Sequence, residues 1–177
     1  MRRPWPLLLL LLCLPRSAAA QALEISGGYS LAHDPRDRVT LPSGWMAGAA
    51  IGLTPAFSLV ADASGQYKTI DLFIDNARLR VHTVMGGGRA AARVGRLTEF
   101  GQVLIGVVRT SGSAFGVTTT GQSLGVQPGI GVDYPRDAPW AARAQLDVRL
   151  IRPQADASNG GLQYRFVAAL TRRFRTR

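Results

Sequence analysis

The chain contains one cysteine, one lysine and no apolar run long enough to cross a bilayer as a helix. Cys13 lies near the start, and no thiol follows it. The remainder of the chain can therefore form neither a disulfide nor a thiolate metal site. Lys68 is the single lysine among 21 basic residues, so positive charge here means guanidinium. The longest apolar stretch, Leu7 to Leu14, falls far short of the ~20 residues a membrane helix requires. After it no helical period is sustained, and prolines and glycines interrupt the chain throughout. A formal net charge of +10 invites a nucleic-acid reading. The arginines are spread over every segment, however, with no basic run and no aromatic-interleaved motif, so nucleic acid is not expected as a partner.

The first residues, "MRRPWPLLLLLLCLPRSAAAQA", have a basic start, an apolar centre and a small-residue end. That is the layout of a secretory signal peptide. The expected division is a signal peptide over residues 1–20, with cleavage after Ala20 or Ala22, and one domain over residues 21–177. Leu12 stands before Cys13 where lipidation needs a small residue, so a lipoprotein is not expected. Removal of Arg2, Arg3 and Arg16, with no acid among them, leaves the mature chain positive.

The recurring feature is alternation with period two, a strand signal. Eight strands are predicted: Leu23–Ala32, Gly44–Leu53, Ala56–Lys68, Ala77–Arg89, Thr98–Thr110, Gln122–Asp133, Trp140–Ile151 and Gly161–Phe174. In the seventh, Trp140, Ala142, Ala144, Leu146, Val148 and Leu150 oppose Ala141, Arg143, Gln145, Asp147 and Arg149. In the last, Leu162, Tyr164, Phe166 and Leu170 oppose Gln163, Arg165, Thr171 and Arg173. The fourth and fifth, "RVHTVMGGGRA" and "EFGQVLIGVVR", alternate poorly, which points to a bulge or a shifted register. The glycines of "MGGGRA" are read as such a bulge or as a bend of the wall.

Long links ("HDPRDRVTLPS", "TIDLFIDN", "SGSAFGVTTTG", "RPQADASNG") alternate with short ones ("TPA", "VGRL", "PRDAP"), and both chain ends fall on the short side. A transmembrane barrel keeps that order, because its periplasmic turns are short and its outer loops long. The apolar faces carry Phe57, Tyr134, Trp140 and Phe174 toward the short turns, and Tyr29, Trp45, Tyr67 and Tyr164 toward the long loops. These make two aromatic girdles at two interfaces. The polar faces would fill the lumen, with Glu24, Asp62, Glu99, Asp133 and Asp147 meeting Lys68, Arg80, Arg109, Arg143, Arg149 and Arg165. Eight strands leave an interior just wide enough for side chains. A salt-bridged plug is therefore expected in place of an ion path. Arg172 lies on the outward face near the C-terminal end, where an interfacial position reduces its cost to roughly 0–1 kcal/mol.

On "LEISGGYS", on "GVQPGIGVDYP…WAARAQLDVRLI" and on a closing strand ending in Phe174, the chain resembles the small eight-stranded outer-membrane β-barrels of the OmpA type. The resemblance covers the whole mature chain. It implies an all-β, antiparallel, up-and-down transmembrane barrel in a bacterial outer membrane, surrounded by lipids including lipopolysaccharide. The final aromatic, followed here by Arg175, Thr176 and Arg177, implies recognition by the barrel-assembly machinery during insertion. The implied role is structural or loop-mediated; a membrane-embedded lipid A deacylase or acyltransferase and a small pore are the alternatives.

Catalytic signals are weak. His33 lies in the first long link and His82 in the fourth strand, where Thr83 and Val84 follow and no serine is adjacent. Ser58, Ser64 and Ser123 lie elsewhere, and Ser113 lacks the flanking glycines of a nucleophile elbow. "HDPRDR" offers Asp34 and Asp37 beside His33, too few ligands for a metal loop, and reads as a solvated turn. "MGGGRA" lacks the Lys-Ser/Thr of a phosphate loop. No catalytic residue, cofactor or metal is expected.

Overall fold

The computed structural model describes residues 22–71, 76–114, 117–152 and 161–175; the expected signal peptide lies outside them. Nine strands follow in chain order: β1 (Ala22–Asp34), β2 (Val39–Leu41), β3 (Ser43–Gly52), β4 (Phe57–Asp71), β5 (Asn76–Val94), β6 (Leu97–Ala114), β7 (Val117–Tyr134), β8 (Trp140–Arg152) and β9 (Gly161–Arg175). Every neighbouring pair is antiparallel, and β9 pairs with β1 from Ala22↔Arg175 to His33↔Tyr164, closing the sheet. Among the described residues there is no helix.

The wall has eight strands because β2 and β3 act as one. Both pair with β1, as Ala32↔Leu41 and as Tyr29↔Trp45, with one extra residue between these pairs on the β2–β3 side. The offset is a β-bulge at Pro42, a residue with no backbone N–H to place in a ladder. Following paired positions around the wall from Leu23 through Ile51, Leu59, Gly88, Val103 and Pro128, then from Val148 through Tyr164, ends at His33. The strands are thus staggered, and stagger requires them to tilt about the barrel axis.

Inward positions are buried and outward positions exposed. Along β8 the burial alternates without a break from Trp140 to Asp147, with Ala141, Arg143, Gln145 and Asp147 inside. The outward residues form a continuous apolar surface: Leu23, Ile25, Ile51, Leu59, Val84, Ile105, Ile130, Leu146, Phe166 and Leu170 are all exposed. Water does not tolerate apolar patches of that extent, whereas lipid does. Both aromatic girdles lie on this face. Phe57, Tyr134, Trp140 and Phe174 are exposed at the short-turn end, Tyr29 and Trp45 at the other, with Tyr67 and Tyr164 half-buried beside them. Arg172 sits among the first group, its Cζ 5.1 Å from the Trp140 ring centroid and 4.9 Å from that of Phe174.

Three expectations are corrected. The β5 ladders to β4 and β6 keep one register throughout, so "MGGGRA" contains no bulge. Its alternation is hidden because Met85 points inward while Gly86 and Gly88 face out with no side chain to show polarity. Strand extends into both links "TIDLFIDN" and "SGSAFGVTTTG": pairing runs on to Asp71↔Asn76 and to Ala114↔Val117. The backbone ladder continues beyond the apolar belt, where both faces meet water and no alternation is required. Glu99, Arg80 and Arg109, expected in the lumen, are exposed on the outward face.

The short turns have local causes. Between β5 and β6 the connection is two residues, with Gly95 at φ 56° in its first position, the place where a type II′ hairpin calls for glycine. Between β3 and β4 the Thr54 hydroxyl accepts from the N–H groups of Ala56 and Phe57.

Candidate functional site

The lumen holds two connected ionic clusters. Near the short-turn mouth, Arg143 from β8 forms a forked pair with Asp133 of β7 (Nε–Oδ1 2.7 Å, Nη2–Oδ2 2.8 Å). Its Nη2 also reaches Glu24 of β1 at 3.3 Å. Arg173 of β9 bridges the same two acids, at 3.2 Å to Glu24 and 2.9 Å to Asp133, and donates to the backbone carbonyls of Pro135 and Arg136. Arg89 of β5 adds a contact to Glu24 at 3.3 Å. The Phe100 ring packs against two of these guanidiniums, 4.4 Å from Arg89 and 4.8 Å from Arg143.

At mid-height, Arg165 of β9 holds Asp62 of β4 through both terminal nitrogens (2.8 and 3.0 Å) and Asp147 of β8 through Nε (2.8 Å). Gln102 and Gln145 donate to Asp147 as well. Gly129 faces this carboxylate, and a Cβ at that position would collide with Asp147 Oδ1. Arg149 is fully buried beside them, and among the described residues no carboxylate is bonded to it. Its donors go to Gln127 (2.9 Å), Gln163 (3.3 Å) and Ser64 (3.5 Å). Gln66 then links Ser64 to Ser30. Bidentate Arg–carboxylate geometry is the strong form of such pairs, and here it ties strands far apart in sequence across a closed space.

The other side of the lumen is apolar. Ala50, Val60, Val81, Met85, Leu104 and Val108 form one buried cluster with Ala32 and Leu41, and Val39, Leu79 and Ile151 pack against it. A cavity of about 480 Å³ opens at the short-turn mouth, lined by Glu24, Arg89, Phe100, Asp133 and Arg173 among others.

Asp62, Asp133, Asp147, Arg143, Arg149 and Arg165 thus occupy the lumen as expected, and Glu24 is half-buried in the same network. Sequence reasoning missed Arg89 and Gln102, whereas Gln127 stands on the inward face expected of the sixth predicted strand. The signal was present: each lies an even number of residues from an inward position on its own strand.

Among the described residues neither histidine bonds to a serine or a cysteine. His82 faces outward, and its Nε2 lies 3.1 Å from Tyr67 Oη, which also accepts from Trp45 Nε1 at 3.0 Å. Gly65 allows this chain of bonds, since a Cβ there would lie 2.6 Å from Trp45 Nε1. His33 Nδ1 bonds to Thr40 Oγ1 at 2.9 Å. Asp34 is used locally, its carboxylate accepting from the N–H groups of Arg36 and Asp37. Ser64 bonds to Thr83 in the lumen.

No protein-family model and no curated protein matches the chain in sequence. Solved structures do match in fold. The attachment invasion locus protein Ail of Yersinia pestis, in complex with the heparin analogue sucrose octasulfate, has a TM-score of 0.64 at 13% identity, covering 88% of this chain and 99% of Ail. Neisserial surface protein A gives 0.67 at 10% identity, over 87% and 97%. The N-terminal β-barrel domain of Pseudomonas aeruginosa OprF gives 0.60 at 11%, over 86% and 97%. At these identities the likeness establishes the architecture, a closed eight-stranded antiparallel barrel shared with outer-membrane proteins.

Proposed function

We propose that the chain is an outer-membrane barrel of a diderm bacterium, exported by a signal peptide over residues 1–20 and acting through its water-facing end instead of by catalysis. The single observation that carries this reading is the pairing of a continuous apolar exterior with a lumen whose central residues, Arg149, Arg165 and Asp147, have no solvent exposure. An exterior of that kind is stable in lipid and not in water. Lipids, including lipopolysaccharide, are then its permanent surroundings, and the closing β9 with Phe174 is the segment offered to the barrel-assembly machinery.

The enzyme reading has less support. His82 already shares a hydrogen bond with Tyr67, and among the described residues no serine, threonine or cysteine hydroxyl or thiol bonds to it. The pore reading is opposed by the ionic clusters filling the lumen. The test is migration of the membrane fraction on a gel with and without boiling. A folded barrel runs at a different position before heating, and recovery of the chain only in the soluble fraction overturns the reading. His82→Ala is expected to leave lipid A acylation unchanged, and planar-bilayer recordings are expected to show no conductance above leakage.

A further inference from the structure

Three guanidiniums share the outer wall at the loop end of β5 and β6, and among the described residues none has an ion-pair or hydrogen-bond partner. Arg78 and Arg80 on β5 and Arg109 on β6 are exposed. Arg80 stands opposite Tyr67 and Ser111, Arg78 opposite Thr69 and Ser113, and Arg109 opposite His82 and Gln122. Arg109 is therefore the diagonal neighbour of Arg80, a relation of about 7–8 Å that long side chains span, and Arg78 is two residues from Arg80 on the same face. The residues directly opposite the three arginines carry hydroxyls, an imidazole and an amide.

The height of this patch decides its partner. Below it on the same strands, past His82 on β5 and Val107 on β6, the outward residues are Val84 on β5 and Ile105 and Val103 on β6, at 69%, 61% and 52% exposure, the apolar belt itself. Beside it lie Trp45 and Tyr67, joined by their hydrogen bond in the aromatic girdle. The arginines thus project where the hydrocarbon ends and headgroups begin. The contrast is Arg172 at the opposite rim, whose charge is already placed over Trp140 and Phe174.

We propose that Arg78, Arg80 and Arg109 form a site for the phosphate groups of an outer-leaflet glycolipid. This rests on the outer-membrane reading. A guanidinium presents a rigid fork that matches a phosphate, and a lipid phosphate is held at this level by its own acyl chains lying against Val84 and Ile105. A soluble polyanion has no such anchorage.

The test uses the mature barrel in neutral detergent, followed by native mass spectrometry with bis-phosphorylated lipid A, dephosphorylated lipid A and sucrose octasulfate as a soluble polyanion. The phosphorylated lipid is expected to bind about a hundredfold more tightly than its dephosphorylated form, since each basic side chain near an anionic surface contributes about fivefold. The triple variant Arg78→Gln, Arg80→Gln, Arg109→Gln is expected to lose that preference, and Arg172→Gln to keep it. Equal binding of the two lipids, an unchanged preference in the triple variant, or competition by sucrose octasulfate at the affinity of lipid A would each overturn the proposal. Heat-dependent gel migration reports folding of every variant. If the triple variant does not fold, Arg80→Gln alone is expected to reduce the preference about fivefold, and no reduction overturns the site. A barrel that folds in membranes without the preference removes this inference alone, whereas a chain absent from membranes removes the reading beneath it.

Discussion

Strands β8 and β6 face the same lumen with opposite chemistry. The inward residues of β8 include Arg143, Gln145, Asp147 and Arg149, each buried and hydrogen-bonded. Those of β6 include Phe100, Leu104 and Val108, with Gln102 alone polar among the fully inward set. Outside, the two strands agree: Leu146 and Leu150 on one, Val103 and Ile105 on the other. Lipid constrains only the outer face, because nothing in hydrocarbon can solvate a polar group. The inner face must be filled and satisfied, and either paired ions or close-packed apolar side chains meet that demand.

That comparison can be broken first on the ionic side. Arg165→Ala leaves Asp62 and Asp147 buried without their cation, and is expected to destabilise the barrel by about 3–5 kcal/mol, read from urea titrations of barrel refolded into vesicles. Replacing Asp62, Asp147 and Arg165 together with apolar residues of similar volume should recover much of that loss, since a dry lumen is the solution β6 already uses. A triple replacement no better than Arg165→Ala contradicts the equivalence.

The shared lipid face is tested next. Ile105→Arg puts a charge in the apolar belt and should cost about 2–4 kcal/mol in the same titration, whereas a substitution such as Ser111→Arg, two strand positions beyond Arg109, should cost far less. The apolar side of the lumen is probed by Leu104→Ala. Leu104 is fully buried, and losing its side chain should cost about 2–3 kcal/mol through the cavity left behind. Smallest is Arg172→Ala, which removes a cation from two aromatic rings at the interface. A loss of about 1 kcal/mol or less is expected.

The same asymmetry explains what could be read from the residues alone. Strand β8 was legible because its two faces differ in polarity at every step from Ala142 to Leu150, and eight strands, closure and both aromatic girdles follow from strands of that kind. Strands β5 and β6 were not legible to the same degree. With Val81 and Met85 inside and Val84 outside, or Leu104 inside and Ile105 outside, periodicity has no contrast to work on. Arg80, Arg109 and Glu99 were consequently assigned to the lumen, although they stand on the outer wall near its two rims, where a charge meets headgroups or water. Strand ends were missed for a related reason. Past the belt, as at Thr118 to Gln122, both faces are polar and exposed, and only the backbone ladder marks the strand. The Pro42 bulge left no trace in the pattern, because it falls where the outer loop begins and alternation was already lost.

The orientation of the wall is the claim on which the rest depends, and it is directly measurable. With Cys13 the only cysteine in the chain, single labels introduced through Ile105→Cys, Leu146→Cys and Phe166→Cys can be compared with Leu104→Cys and Gln145→Cys in refolded barrels. Fluorescence quenching by lipids brominated along their acyl chains should be strong at the first three positions and weak at the last two. Strong quenching at positions 104 and 145, with protection at 105, 146 and 166, would contradict the account.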